Sequence, residues 1–156
     1  MSSTHNIKEL KPKKNGRYKQ GYINPKGCKK LFESQANKPI IFRSSYERKF
    51  IQWLERSKQV VRWGSECVSI PYVSPLDGKT HTYYPDYIME LNDGVVVLVE
   101  IKPRHETVPP QPGVPKDSYQ WTTYVKNKAK WEAAIEFCKR NNMKFKIFTE
   151  VTIDRL

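Results

Sequence analysis

Asp86, Glu100 and Lys102 are charged residues placed where a buried strand should carry none. They stand in YYPDYIMELNDGVVVLVEIK, residues 83–102, which is rich in β-formers and reads as two strands, about Thr82 to Leu91 and Val95 to Lys102. Asn92, Asp93 and Gly94 form a three-residue connection, with Gly94 at the position that needs positive φ. That loop pairs Leu91 with Val95, and counting outward sets Asp86 opposite Glu100. Opposed residues on one face have Cβ atoms about 4.5–5.5 Å apart. Lys102, two residues past Glu100, points to the same face. Two carboxylates so close repel, and burial raises at least one pKa. A divalent cation held between them would remove that conflict.

The strand context sharpens the point. Val95, Val97, Val99 and Ile101 line one face of the second strand, while Val96 and Leu98 begin the other, which then ends in Glu100 and Lys102. Both faces are apolar up to that end, as in a central strand. A third acid is Glu47, in SSYERKFIQWLERSKQ. Ser44 followed by Glu47 is a capping-box pattern, and Tyr46, Phe50, Ile51 and Leu54 recur at helical spacing. Glu47 shares the stripe of Phe50, Ile51 and Leu54, so it has two readings, as capping partner of Ser44 or as an acid aimed at the carboxylate pair.

The remaining elements must position these residues. PIIF (39–42) precedes the helix, and VVRW (60–63) and CVSIPYV (67–73) read as strands, with SPLDGK as a turn. PRHETVPPQPGVPKDSYQ (103–120) is a long proline-rich loop, of the kind that carries function or disorder. Trp121 to about Asn141 is helical, with Tyr124, Val125, Trp131, Ile135 and Cys138 on roughly one face, and KFKIFTEV (144–151) reads as a last strand. The order predicts an α/β sandwich around a mixed sheet, its hairpin antiparallel and its final strand returned parallel by the helical crossover.

The 156 residues suit one domain with a tail. Residues 1–32 hold nine Lys or Arg against the single acid Glu9, which is +8 of the formal net charge of +12. Residues 1–38 therefore read as a basic extended arm. Lys11, Lys13, Lys14, Arg17 and Lys19 are its candidate contacts to a polyanion, with Tyr18 and Tyr22 as rings able to stack on bases. No apolar run approaches a membrane span, and MSSTHNIKEL lacks the apolar core of a signal peptide, so a cytosolic protein is expected. Cys28, Cys67 and Cys138, and His5, His81 and His105, are too scattered to suggest a zinc site.

Pro85–Asp86 followed by Glu100–Ile101–Lys102, with an acid on the preceding helix, resembles the PD-(D/E)XK nuclease superfamily. RSSYERKF and VEIKP also resemble the endonuclease subunit of Tn7-type transposases. HNIKELKPKKNGRYKQGYINP, KPIIFRSSYERKFIQWLE and YYPDYIMEL are similar to the head completion proteins of T4-like tailed phages, along nearly the whole chain. The resemblance implies a restriction-endonuclease-like fold over residues 39–156 and Glu47, Asp86, Glu100 and Lys102 as catalytic residues. It implies one or two Mg²⁺ or Mn²⁺ ions on Asp86, Glu100, the backbone carbonyl of Ile101 and Glu47, directly or through water. The substrate would be double-stranded DNA, bound without sequence preference; the partners would be portal or neck proteins, and the place the host cytoplasm during assembly or the head-neck region of the virion. Arg43, Arg48, Arg104 and Lys128 are further candidate DNA contacts, with His105 beside Arg104. The alternative in another functional class is a catalytically silent protein of the head-neck junction that keeps the fold to grip DNA or the portal.

Overall fold

The computed structural model describes residues 20–156. β6 (Tyr87–Leu91) and β7 (Val96–Ile101) pair antiparallel, Tyr87 across from Val99 and Glu90 across from Val96. One step beyond that ladder lies Asp86 opposite Glu100, in the register counted from the loop. Gly94 has φ +87°, which a side chain would strain.

Around this hairpin lies a four-stranded sheet in the order β3 (Val60–Ser65), β6, β7, β8 (Lys144–Phe148). β3 is antiparallel to β6 and β8 is parallel to β7, so the sheet is mixed as expected. The alternation of β7 divides the core. Val97 and Val99 face a cluster with Phe50, Ile51 and Leu54 of α1 (Ser45–Arg56) and Ile153 of α3 (Glu150–Asp154). Leu98 faces a second cluster with Trp131, Ala134 and Cys138 of α2 (Tyr119–Arg140). Helices on both faces complete an α/β sandwich.

Four expectations are corrected. The first strand of the hairpin does not run from Thr82 to Leu91. β5 (Thr80–Tyr83) pairs with β4 (Ile70–Val73) in a separate two-stranded sheet, and the chain resumes as β6 only at Tyr87. Pro85 explains the break, because it has no N–H for a ladder and restricts the residue before it. The last strand stops at Phe148, and Glu150–Asp154 is a helix whose Ile153 is fully buried under α1. On α2 the buried residues are Asn127, Trp131, Ala134 and Cys138, while Ile135 is exposed.

The fourth correction concerns residues 20–38, read as part of the arm. β1 (Gly21–Ile23) pairs with β2 (Ile40–Phe42), and Leu31 bridges to Trp63 at the outer edge of β3. One carboxylate docks this segment: Glu55 accepts from the N–H groups of Lys29 (2.6 Å) and Lys30 (3.1 Å) and from the Trp63 indole (2.7 Å). The Gln35 amide exchanges two hydrogen bonds with the backbone of Ser65. The segment thus covers an otherwise open sheet edge. The hydroxyl of Tyr22 is buried without a hydrogen-bond partner among the described residues, while the residue as a whole is half-buried. Lys11, Lys13, Lys14, Arg17, Lys19 and Tyr18 lie outside the described residues.

Candidate active site

Asp86 sits in the bend between the two sheets, where β6 has not yet begun. Its Oδ2 accepts from the N–H of Ile101 at 2.8 Å, so a side chain takes a bond that the backbone of a longer β6 would have supplied. Ile101, expected to offer its carbonyl, meets Asp86 through its N–H. The Oδ1 of Asp86 makes no hydrogen bond among the described residues and is free to meet a ligand. The N–H of Lys102 donates to Phe148 of β8, which ties down the end of β7.

Glu100 is buried, with 7% of its surface exposed. The Tyr83 hydroxyl donates to its Oε2 at 2.5 Å, and Lys102 Nζ stands 3.7 Å from its Oε1. Burial raises the pKa of Glu100, opposed by Lys102, the Tyr83 hydrogen bond and Lys130. Burial also raises that of Asp86, and the charge of Glu100 adds to it; the Ile101 N–H and Lys102 pull the other way. Without a cation the pair therefore holds protons at pH values where free carboxylates are ionised.

Glu47 fulfils the first of its readings and stands near enough to Asp86 to feel its charge. It closes the capping box of α1: its N–H donates to Ser44 Oγ at 3.1 Å, and its Oε2 accepts from the Ser44 hydroxyl at 3.3 Å and from the N–H of Arg43 at 3.1 Å. Burial first, and the charge of Asp86 second, push its pKa up to about 7. Glu47 approaches from the α1 layer, whereas Glu100 faces the α2 layer, and the two come near each other only at the sheet end beside Asp86. Among the described residues no three His, Cys, Asp or Glu side chains are close enough to hold a metal ion together. The donor set is thus two carboxylates with an outlying third. It suits a hard cation that takes few protein ligands and keeps several waters.

The other expected contacts divide. Arg43 lies beside the site, where it pairs with Glu66 at 2.5 Å and is felt electrostatically by Glu47 and Asp86. Arg48 is exposed and lies over the Phe42 ring, 5.8 Å from its centroid, with no contact to the carboxylates. Arg104 is exposed, its N–H donating to Glu150 at 2.9 Å. Lys128 is exposed on the wrong flank of α2.

The lysine that faces the site is Lys130, which sequence reasoning missed. Its Nζ lies 5.7 Å from the Tyr83 ring centroid and 5.9 Å from that of Tyr72, and burial, then Lys126, lowers its pKa. Two residues apart on a helix, Lys128 and Lys130 point to opposite flanks of the buried stripe. The spacing of Trp131, Ala134 and Cys138 places Asn127 on the stripe with Lys128 and Lys130 on either side of it, so spacing alone does not say which of the two faces the site. Tyr83 and Glu66 were also missed. Glu66 has φ +49°, donates its N–H to the Asp86 carbonyl at 3.0 Å and adds negative charge near Asp86. Nothing local marks either residue, since each is brought in by a different strand.

Two substitutions separate these roles. Glu47→Gln preserves the capping box, which accepts Glu or Gln at this position. The expected result is an unchanged or slightly higher melting temperature at pH 8 with cleavage reduced roughly 10- to 100-fold. Lys130→Met is expected to slow cleavage roughly tenfold, with Lys130→Arg keeping most of the rate; single-turnover kinetics checks both.

An α/β sandwich whose mixed sheet ends in paired carboxylates and a lysine is the architecture of a restriction-endonuclease-like nuclease. The model of the TnsA-like endonuclease N-terminal family matches residues 57–150, and the chain belongs to that family. The matched span contains Asp86, Glu100, Lys102 and Lys130, and Glu47 precedes it. The chain is also similar to the head completion nuclease of Enterobacteria phage T4, 33% identical over 123 residues, covering 72% of this chain and 80% of that protein.

Proposed function

We propose that this protein is a divalent-metal-dependent DNA endonuclease that acts in phage head completion, after DNA packaging. The observation that carries the reading is the Asp86–Glu100 pair at the end of a buried hairpin, with Lys102 3.7 Å from Glu100. Its place in assembly is taken from the similarity to the head completion nuclease, and portal or neck proteins are the partners this implies.

In this reading Asp86 and Glu100 would hold Mg²⁺ or Mn²⁺, with Glu47 as the outlying third carboxylate. When bound, such an ion would supply Lewis acidity, lowering the pKa of an attacking water and offsetting charge on the phosphate. Tyr83 orients Glu100 through its hydroxyl. Lys102 and Lys130 place positive charge where the pentavalent phosphorus gathers negative charge. Water adds to phosphorus and gives up a proton to solvent, the bond to the leaving sugar oxygen breaks, and that oxygen takes up a proton from solvent.

Incubating supercoiled plasmid with the protein in Mg²⁺, in Mn²⁺ and in EDTA tests the reading. Relaxed or linear product with a metal and none in EDTA is expected. A purified, folded protein that cuts no DNA form with either metal would leave only the silent, DNA-gripping alternative. The basic residues 1–19 give a further prediction. Non-specific affinity should fall steeply with salt, and deleting residues 1–19 should weaken binding and flatten that slope by roughly one unit per lost phosphate contact, measurable by fluorescence anisotropy between 50 and 200 mM salt.

A further inference from the structure

The proline-rich segment after Lys102 folds back over the first half of α2 and forms with it a half-open cavity of about 260 Å³. The segment is held there: the Trp121 indole donates to the Val114 carbonyl at 3.1 Å, and Lys116 lies over the Trp121 ring at 4.5 Å. Tyr119 and Tyr124 of α2 line the cavity, with His105 and Glu106 from the segment and Asn127 from the helix. Trp121 packs edge-on against the Tyr124 ring, with centroids 5.9 Å apart and an interplanar angle of 89°.

Asn127 is the telling residue. As a residue it is only 6% exposed, yet it lines the cavity, and its amide is not among the buried polar groups left without a partner, so the amide opens onto the cavity. Its donor and acceptor together match the edge of a nucleobase. A phosphate is the wrong occupant, because no Lys or Arg lines the cavity and Glu106 does. The volume lies below the roughly 300–1,000 Å³ of pockets for drug-sized ligands, which suits a single ring system.

Two of the cavity's residues are close in the chain to residues of the carboxylate site. His105 follows Lys102 by three residues, so their Cα atoms are at most about 11 Å apart. Asn127 and Lys130 are neighbours at i, i+3 on α2. We propose that this cavity binds the base of an unpaired nucleotide adjacent to the cleaved phosphodiester, stacked against Tyr124 and hydrogen-bonded by Asn127. A base inside an intact duplex cannot enter it without leaving the stack. The substrate class is therefore DNA with single-stranded character at the cut, such as an overhang, flap or frayed end. The assignment rests on the nuclease reading for its link to cleavage, but base binding itself does not need a metal.

The test compares one duplex carrying a three-nucleotide thymidine overhang with the same duplex carrying three abasic residues, which have the same phosphates and no bases. Both overhang polarities are measured by anisotropy with full-length protein in EDTA. The base-bearing overhang of one polarity should bind about tenfold tighter, near the low end of what one stacked base supplies. Tyr124→Ala and Asn127→Asp should bring that ratio to within twofold, and Tyr124→Phe should keep it. A wild-type ratio within twofold for both polarities overturns the proposal, whatever the variants do. A ratio that survives both Tyr124→Ala and Asn127→Asp, in proteins folded by circular dichroism, overturns it too, since the base must then bind elsewhere. Plasmid cleavage with Mg²⁺ or Mn²⁺ is scored separately, so a failed pocket and a failed nuclease reading give different results.

Discussion

Asp86→Asn is expected to lower the cleavage rate by about a thousandfold and, in the same molecule, to make the metal-free protein more stable at pH 8. The first effect follows from removing a carboxylate that no neighbour can replace: Glu100 is engaged by Tyr83 and Lys102, and Glu47 by Ser44 and Arg43. The second follows from the cost the pair imposes without a cation. Burial raises the pKa of both Asp86 and Glu100 above their unfolded values, and the charge of Glu100 adds to the shift of Asp86. The native state then binds more protons than the unfolded chain, so stability is full below the unfolded pKa, near 4, and is lost as pH rises through the folded pKa. Glu47 adds to the loss between about 4.5 and about 7. Asparagine removes one member of the conflict while its carbonyl can still accept from Ile101, so the variant should lose less stability from pH 4 to 8. A gain of about 2–4 °C in melting temperature per kcal/mol is expected for a chain of this size. Mg²⁺ should raise the melting temperature of the wild type and not that of the variant, because only the native wild type binds it. Thermal melts in EDTA and in Mg²⁺ at several pH values check all three statements. A metal-free variant less stable than wild type at pH 8 would contradict the account of the pair.

Lys102→Ala is expected to lower cleavage by roughly 100- to 1,000-fold, and more at pH 6.5 than at pH 8.5. Lys102 does two things at once. It is positioned to meet charge on the phosphate, and it depresses the pKa of both Asp86 and Glu100. Removing it lets burial raise both carboxyls further, so a larger share is protonated near neutrality and must lose protons before a cation can bind. Raising the pH restores that part of the loss but not the missing charge at the phosphate. Lys102→Arg should recover little, because a planar fork does not replace a compact ammonium wedged 3.7 Å from a buried carboxylate. A defect of equal size at both pH values would show that Lys102 acts on the phosphate alone. Rates under single turnover, with saturating metal, make the comparison.

The line between what was legible and what was not runs through particular residues. The register of Asp86 and Glu100 was readable because a hairpin is local: Gly94 and a three-residue loop leave one pairing, and the alternation of Val97, Leu98 and Val99 says which face each residue takes. The N-terminus of α1 was readable for the same reason, since Ser44 and Glu47 cap it within one turn. The end of β8 was misplaced at Val151, because FTEV suits a strand as well as a helix start and only the burial of Ile153 beneath α1 decides between them.

By itself, the sequence determined the opposed carboxylates, the lysine beside them and the mixed sandwich that holds them, because each depends on periodicity and turn chemistry over a few neighbouring residues. Only the tertiary structure decided that Tyr83, from a different sheet, clamps Glu100; that Lys130 rather than Lys128 faces the site; and that Glu55 folds residues 20–38 onto the edge of β3. It also decided that the proline-rich segment forms one wall of a half-open cavity lined by Asn127. These depend on which flank of a helix meets which layer and on contacts between residues far apart in the chain, and such contacts leave no local pattern to read.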